Sequence, residues 1–452
     1  MEVDIEFEDS RINFFLQPSE SERNSTYGEK LADEMRFSIV APKGIDFSEI
    51  HCDHMALIVL LACHPFSVGD LNIPLSVSKK FFEACKIFTR YTPRFLSSDE
   101  RPYTSKSNSK PGLAFSGGMD STAALALMPE STIPIFLNRP KKSDTTLYNK
   151  SAAEATLAFI KAKGTPFFSI TTDVEFIRNP IGFPTDLAAG IPAIALASQL
   201  NLDAIGYGTV LESAYRVGHE KSRDYEFSSH YRVWGPLFSS AGIPLILPVS
   251  GVSEVGTSMI VRSSSYRGMA RSCIRGQWPH PCNKCWKCFR KQLIDDALEG
   301  KTMNDTEFLK SLKHREVAMK LMSIFIPHEN VLAWALEKMN RGPILNTLYE
   351  RLVGSTYDTS HLSSFYKPSI ELIPGKYRLH ILAQLNKYLP AMNDEIGQIM
   401  LKQDFSHYMN SEPHQKKVAA FNSIMPYSNK RLATLTAPLI VSSPSAEEKS
   451  RS

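Results

Sequence analysis

Residues 112–122 read Gly-Leu-Ala-Phe-Ser-Gly-Gly-Met-Asp-Ser-Thr, and the fold is decided there. Residues 112–115 are a short apolar run of strand type. A Ser/Gly turn follows, and a helical pattern begins at about Ser121. Outward from this stretch the alternation repeats. Strands are expected at 133–137 (IPIFL), 167–170, 204–207 (AIGY) and 243–249 (IPLILPV), with helices at 148–163 and 191–200 between them. Strands alternating with helices imply right-handed crossovers and an α/β fold, a doubly wound parallel sheet covered on both faces. Periodicity leaves the strand order open.

The flanks read differently. Residues 1–96 mix alternating stretches (2–7, 36–40) with helical ones (53–62, 77–88), which predicts an N-terminal α+β domain. Residues 97–111, rich in Ser, Lys and Pro, are expected to be a linker to a domain spanning 112–299. Residues 300–440 read as a helical C-terminal domain, with helices at 307–324, 330–339 and 344–352. Residues 441–452 read as a disordered tail.

Of the 452 residues, 43% are hydrophobic and 22% charged, which excludes wholesale disorder. A net charge of +4 is too small to point to nucleic acid, so none is expected as a partner. The longest apolar run, 55–63 (MALIVLLAC), falls far short of the roughly 18 residues of a membrane span. The acidic start MEVDIEFEDS lacks the order of a signal peptide. The expectation is a cytoplasmic protein with no membrane partner.

The turn carries the first chemistry. Gly117 and Gly118 let backbone N–H groups approach phosphate oxygens, and the helix that follows adds partial positive charge. The hydroxyls of Ser116 and Ser121 can donate to the same oxygens. Asp120 can hold the loop or help bind a metal ion. The Gly-Lys-Ser/Thr ending of a Walker loop is missing. Ser116, Gly117, Gly118, Met119, Asp120, Ser121 and Thr122 are therefore the candidate nucleotide-binding residues, and Asp120 and Ser121 candidate catalytic ones. An empty glycine turn is the competing reading. Strand before and helix after favour nucleotide.

The second signal is a cluster of cysteines. Cys273, Cys282, Cys285 and Cys288 crowd into sixteen residues, and two consecutive CxxC steps can seat thiolates around a zinc ion. Arg275, Lys284, Lys287, Arg290 and Lys291 are expected to offset the thiolate charge. Zn2+ is favoured, although a redox pair or an iron–sulfur cluster uses the same ligands.

The string Ser-Gly-Gly-x-Asp-Ser at 116–121 resembles the loop of the PP-loop ATP pyrophosphatase superfamily. With the downstream C-x8-C-x2-C-x2-C spacing, with Ser272 before Cys273 and with Arg290 after Cys288, the chain resembles the 7-cyano-7-deazaguanine synthase branch. The resemblance covers about residues 112–293. It implies ATP with Mg2+ and a structural Zn2+, and adenylation of a substrate carboxylate. Ammonia would then attack to give an amide, and a second activation a nitrile. The implied partners are a deazaguanine-like carboxylate and ammonia, or a protein acceptor. Longer proteins of this type occur in antiphage operons beside partner proteins, and the present length fits them. At 206–220 the chain reads GYGTVLESAYRVGHE, where the synthases carry Asp-x-Ser-Gly-Tyr-Pro-Asp-Cys-Arg. At 250–254 it reads SGVSE, without their lysine.

Other readings stay open: a sugar amidotransferase, a tRNA-modifying enzyme of the same superfamily, or a non-catalytic ATP-binding scaffold. Arg216 and His219, with Glu212, follow the fourth expected strand. There an arginine can pair with a carboxylate and a histidine can shuttle a proton, against the plainer reading of a solvated charged loop. Asn138 follows the second strand, where the superfamily places adenine or ribose contacts. For His51, Cys52, His54, Cys63 and His64, helix-end or core roles are favoured over a metal site.

Overall fold

A computed structural model describes residues 1–23, 30–42, 44–140, 148–270, 273–352 and 358–425. Its strands are β1 (Glu2–Glu8), β2 (Arg11–Gln17), β3 (Lys30–Leu31), β4 (Arg36–Val40), β5 (Gly69–Asn72), β6 (Tyr91–Arg94), β7 (Lys110–Phe115), β8 (Ile133–Asn138), β9 (Phe168–Thr172), β10 (Arg178–Asn179), β11 (Leu202–Gly206) and β12 (Leu245–Ile246). Ten of them form one sheet, in the order β12-β11-β7-β8-β9-β4-β2-β1-β5-β6; β3 pairs with β10 apart from it. The first five of that order are parallel. From β9 to β1 the pairing is antiparallel, and β5 and β6 close the far edge in parallel.

The burial of β8, between β7 and β9 in the five parallel strands, shows that this end of the sheet is enclosed. Ile133 through Leu137 are all buried, as befits a strand covered on both faces. Successive residues go to different cores. Phe136 packs with Leu113, Phe115, Ala123, Leu127 and Ile160, beneath the helices Met119–Leu127, Ser151–Ala162, Glu254–Ser263 and Gly375–Tyr388. Ile133 and Ile135 face the opposite core, with Ile170, Ile191, Ile194 and Phe238. The helix Cys52–Cys63 is buried at every position from Asp53 to Cys63, and it closes this second core. A helix apolar on all sides has to be enclosed.

The chain leaves β7 for β8 on one side and returns as β11 on the other. That reversal opens a crevice at the carboxyl ends of β7 and β11, where open α/β sheets take ligands.

One sheet runs across the expected domain boundary after residue 96. Residues 1–96 extend the central sheet: β4 pairs with β9 through Ile39–Thr172 and Val40–Thr171. Across the β2–β4 pair, Phe14 and Phe37 stack 4.4 Å apart. Within the expected linker, β7 already begins at Lys110. The Tyr103 hydroxyl ties the irregular part down, 2.9 Å from the Leu202 carbonyl. The helical C-terminal part also shares the sheet's cover, since Tyr377, Ile381 and Leu385 join the core of the loop helix. The helix expected at 307–324 is two, Asp305–Ser311 and Arg315–Met322. The intervening turn lets Phe308, Leu312, Val317 and Leu321 all reach one core. The strand expected at 243–249 shrinks to β12. The expected disordered tail lies outside the described residues. Among the described residues, no helix is long and apolar enough to cross a membrane.

A continuous sheet predicts cooperative unfolding across the β4–β9 seam. Ile39→Ala, at a fully buried position, is expected to cost about 2–5 kcal/mol. Urea unfolding, read by far-UV dichroism and by tryptophan fluorescence, should show one transition rather than a separate early loss of residues 1–96.

Candidate functional site

The carboxyl end of β7 runs into the glycine loop at Ser116. Gly117 has φ +72°, a left-handed conformation, and a Cβ there would stand 3.0 Å from the Thr156 methyl, so the turn suits glycine alone. The loop hydroxyls hold one another. The Ser116 and Ser121 Oγ atoms are 3.0 Å apart, the Ser116 N–H donates to Ser121 Oγ (3.3 Å), and Ser121 Oγ lies 3.1 Å from the Gly118 carbonyl. Gly118 is the N-cap of the helix Met119–Leu127, and no side chain caps it. Its first-turn amides therefore face the crevice as an anion-binding end. Gly208, just beyond β11, packs so closely that a Cβ would lie 2.7 Å from the Ser121 nitrogen. The two strand ends thus pinch the loop between them.

Behind the loop lies a buried charge cluster. The Thr257 hydroxyl donates to Asp120 Oδ1 (2.9 Å), and Lys291 Nζ is 3.6 Å from the same oxygen. Lys291 also lies 3.3 Å from Glu254, which Arg290 binds at 2.8 Å. The Glu254 N–H donates to both carboxylate oxygens of Glu212 (3.2 Å), and the Asn330 amide donates to Glu212 at 3.4 Å. His328 Nδ1 stands 3.3 Å from Glu254.

The two glutamates divide the charge. Burial, reinforced by Glu254, pushes Glu212 up to about 8, so it is protonated at neutral pH. Burial also opposes ionisation of Glu254, but Lys291 and Arg290 outweigh it and hold this carboxyl well below its ordinary range. Burial takes His328 and His219 down to about 4, so both are neutral.

The four cysteines meet. Their sulfurs all lie within 4.8 Å of one another, and Cys282 Sγ and Cys288 Sγ are 3.7 Å apart. A tetrahedron with sulfur about 2.3 Å from its centre has edges of about 3.8 Å. The N–H groups of Cys282, Lys284 and Cys288 each donate to a cluster sulfur at 3.4 Å. The Cys285 thiol is held down to about 5 by hydrogen bonding from Cys288. The cluster can hold one metal ion. Arg290 and Lys291 do not serve it as expected: they turn to Glu254 and Asp120, while Arg275 pairs with Glu316.

Two cavities flank the loop, and Ala152 and Cys273 line both. The first is lined by Ser116, Gly117, Phe136, Arg139, Tyr148 and Phe183. Arg139 lies over the Phe183 ring at 4.9 Å and pairs with Glu175 at 3.3 Å. The second is bordered by Met119, Trp278, His280, Lys287 and Lys291.

The other expected site residues fare unevenly. Asn138 turns its amide to Thr171 (2.9 Å), and its neighbour Arg139 lines the cavity instead. Arg216, at φ +56°, and His219, stacked towards Phe325 and His328, line neither cavity. Thr122 is buried behind the loop. Ser272 lies outside the described residues. His51 caps the helix Cys52–Cys63, His54 bonds Ser198 and the Ala241 carbonyl, and His64 meets the Tyr91 hydroxyl, while the ligand atoms of His51, Cys52 and Asp53 lie within 4.8 Å of one another.

Sequence reasoning missed Thr257, Glu254, His328 and Asn330, and gave Lys291 a role beside the cysteines instead. For Lys291 a signal existed, one helical turn past Cys288. For His328 and Asn330, far along the chain, there was none.

A family described as a family of unknown function (DUF6395) matches residues 233–401. The span includes Glu254, the four cysteines, Lys291 and His328, and it leaves out the glycine loop. No curated protein and no solved structure gives a significant match.

Two outcomes follow from this geometry. Cys288→Ser should lower bound metal from about one ion per chain, read by elemental mass spectrometry, and lower the melting temperature. Glu212 is protonated in the folded chain and ionised in the unfolded one between its ordinary pKa of 4.5 and about 8, so it erodes stability as pH rises through that window. Glu212→Gln, a neutral acceptor of the same shape, should gain in urea midpoint over wild type between pH 5.5 and 8. An unchanged difference would refute the assignment.

Proposed function

We propose that the chain is an ATP-dependent adenylating enzyme of the PP-loop kind, which activates a carboxylate for attack by a nitrogen nucleophile. One observation carries the reading. An uncapped glycine loop with a left-handed Gly117 sits at the reversal point of a parallel sheet, with a cavity on either side. The backbone amides and hydroxyls of residues 116–121 suit a polyphosphate. The aromatic and arginine lining of the first cavity suits a nucleoside.

In this reading an oxygen of the acceptor carboxylate attacks the α-phosphorus of ATP, and pyrophosphate leaves. The nitrogen nucleophile then attacks the activated carbonyl, and AMP leaves. Ser116, Gly117, Gly118 and Ser121 hold phosphate oxygens, and the chain contributes mainly by positioning and by neutralising charge. Asp120 is the residue that would hold Mg2+, whose role is to neutralise phosphate charge. The four thiolates suit zinc, which as a closed four-coordinate ion supplies a structural cross-link. The cysteine spacing and Arg290 support a deazaguanine-like carboxylate as acceptor. The region 206–220 departs from the synthase pattern, so other carboxylates belong in the same assay.

The test incubates the metal-loaded protein with Mg2+, ATP, ammonium and 7-carboxy-7-deazaguanine and identifies products by mass. AMP with pyrophosphate is the expected nucleotide outcome, and ADP with phosphate would contradict it. Ser121→Ala, which removes a hydroxyl to a charged ligand, should weaken ATP binding about tenfold or more.

A further inference from the structure

We infer that Lys291 supplies, from the cysteine-bearing helix, the cation that binds the polyphosphate end of the nucleotide. The inference rests on the nucleotide reading above. It begins with a charge imbalance. Beyond β12 the chain offers no lysine at 250–254; it offers Glu254. Glu254 and Asp120 both carry negative charge beside a loop that has to accept an anion, and like charges at such distances repel.

Lys291 is the side chain placed to reverse that sign. Its side chain is only 9% exposed, and its Nζ lies 3.6 Å from Asp120 and 3.3 Å from Glu254. Yet the ammonium makes no hydrogen bond of good geometry to either. Its contacts with the two carboxylates are ionic, and its N–H donors belong to a buried side chain that borders the second cavity together with Met119 of the loop helix. Burial works against the ammonium, but the two carboxylates outweigh it and keep it charged.

The neighbouring cations are committed or outside. Arg290 donates to both oxygens of Glu254, and Arg139 pairs with Glu175 on the far side of the loop. Lys287 and His280 line the rim of the same cavity and are exposed. A ligand whose negative charge extends from the loop into this cavity has Lys291 and Lys287 on its border. A diphosphate or triphosphate end has that form. A nucleoside monophosphate, held on the loop, does not reach as far.

Calorimetry on the full chain would compare Mg·ATP, Mg·pyrophosphate and AMP. Lys291→Met should weaken Mg·ATP and pyrophosphate about tenfold or more and leave AMP within about twofold. Lys291→Arg should keep most of the ATP affinity. Lys287→Gln, at an exposed position that does not endanger the fold, should weaken Mg·ATP and pyrophosphate by about threefold without affecting AMP. If Lys291→Met does not fold, the Lys287→Gln result decides. Equal losses for ATP and AMP, or no loss in either variant, would overturn the assignment while leaving nucleotide binding intact. A wild-type chain that binds none of the three would instead overturn the nucleotide reading itself.

Discussion

A buried carboxylate has to be paired, and the pairing of Glu254 organises this molecule. Its partners come from separate stretches of chain: Arg290 and Lys291 from the helix Trp286–Leu298, and His328 from the start of the helix Glu329–Glu337. Its own backbone N–H is spent on Glu212, beyond β11. Leaving such a group without any cation would cost about 3–5 kcal/mol. The sheet edge, the cysteine-bearing helix and the C-terminal helices are therefore fixed relative to one another at one point, and that point adjoins the glycine loop through Asp120.

This arrangement gives a role to a part of the chain that looked like an appendage. His328 and Asn330 stand against the two glutamates, so the C-terminal helices complete the surroundings of the loop as well as covering the sheet. The cysteine cluster has a double position too. Cys273 lines both cavities, so the four-cysteine cluster forms part of the wall between them. One helical turn separates Cys288 from Lys291, so what holds the cysteines also orients the lysine.

Local signals were legible in the sequence. The five parallel strands were foreseen from short apolar runs between helical patterns, the glycine loop from Ser116 to Ser121, and the meeting of the four cysteines from their spacing. What escaped was long-range. The merging of β4 with β9 joins residues 133 positions apart, through Ile39 and Thr172, and alternation in β4 says only that one face is buried. The Glu254 cluster escaped for the same reason: a glutamate in SGVSE and a lysine in CFRKQ look solvated until the fold buries them together. Asn138 stands at the end of its strand with its amide on Thr171, and it is the next residue, Arg139, that lines the cavity, a difference that strand position alone does not tell.

The central claim is that the loop at residues 116–121 binds the phosphates of ATP. A crystal structure of the chain with Mg2+ and a non-hydrolysable ATP analogue tests it most directly. The account predicts phosphate oxygens within hydrogen-bonding distance of the loop amides and of Ser116 and Ser121, whose hydroxyls then leave each other for the ligand. An ordered analogue bound elsewhere, or a loop whose two serines stay bonded to each other at saturating analogue, would contradict it.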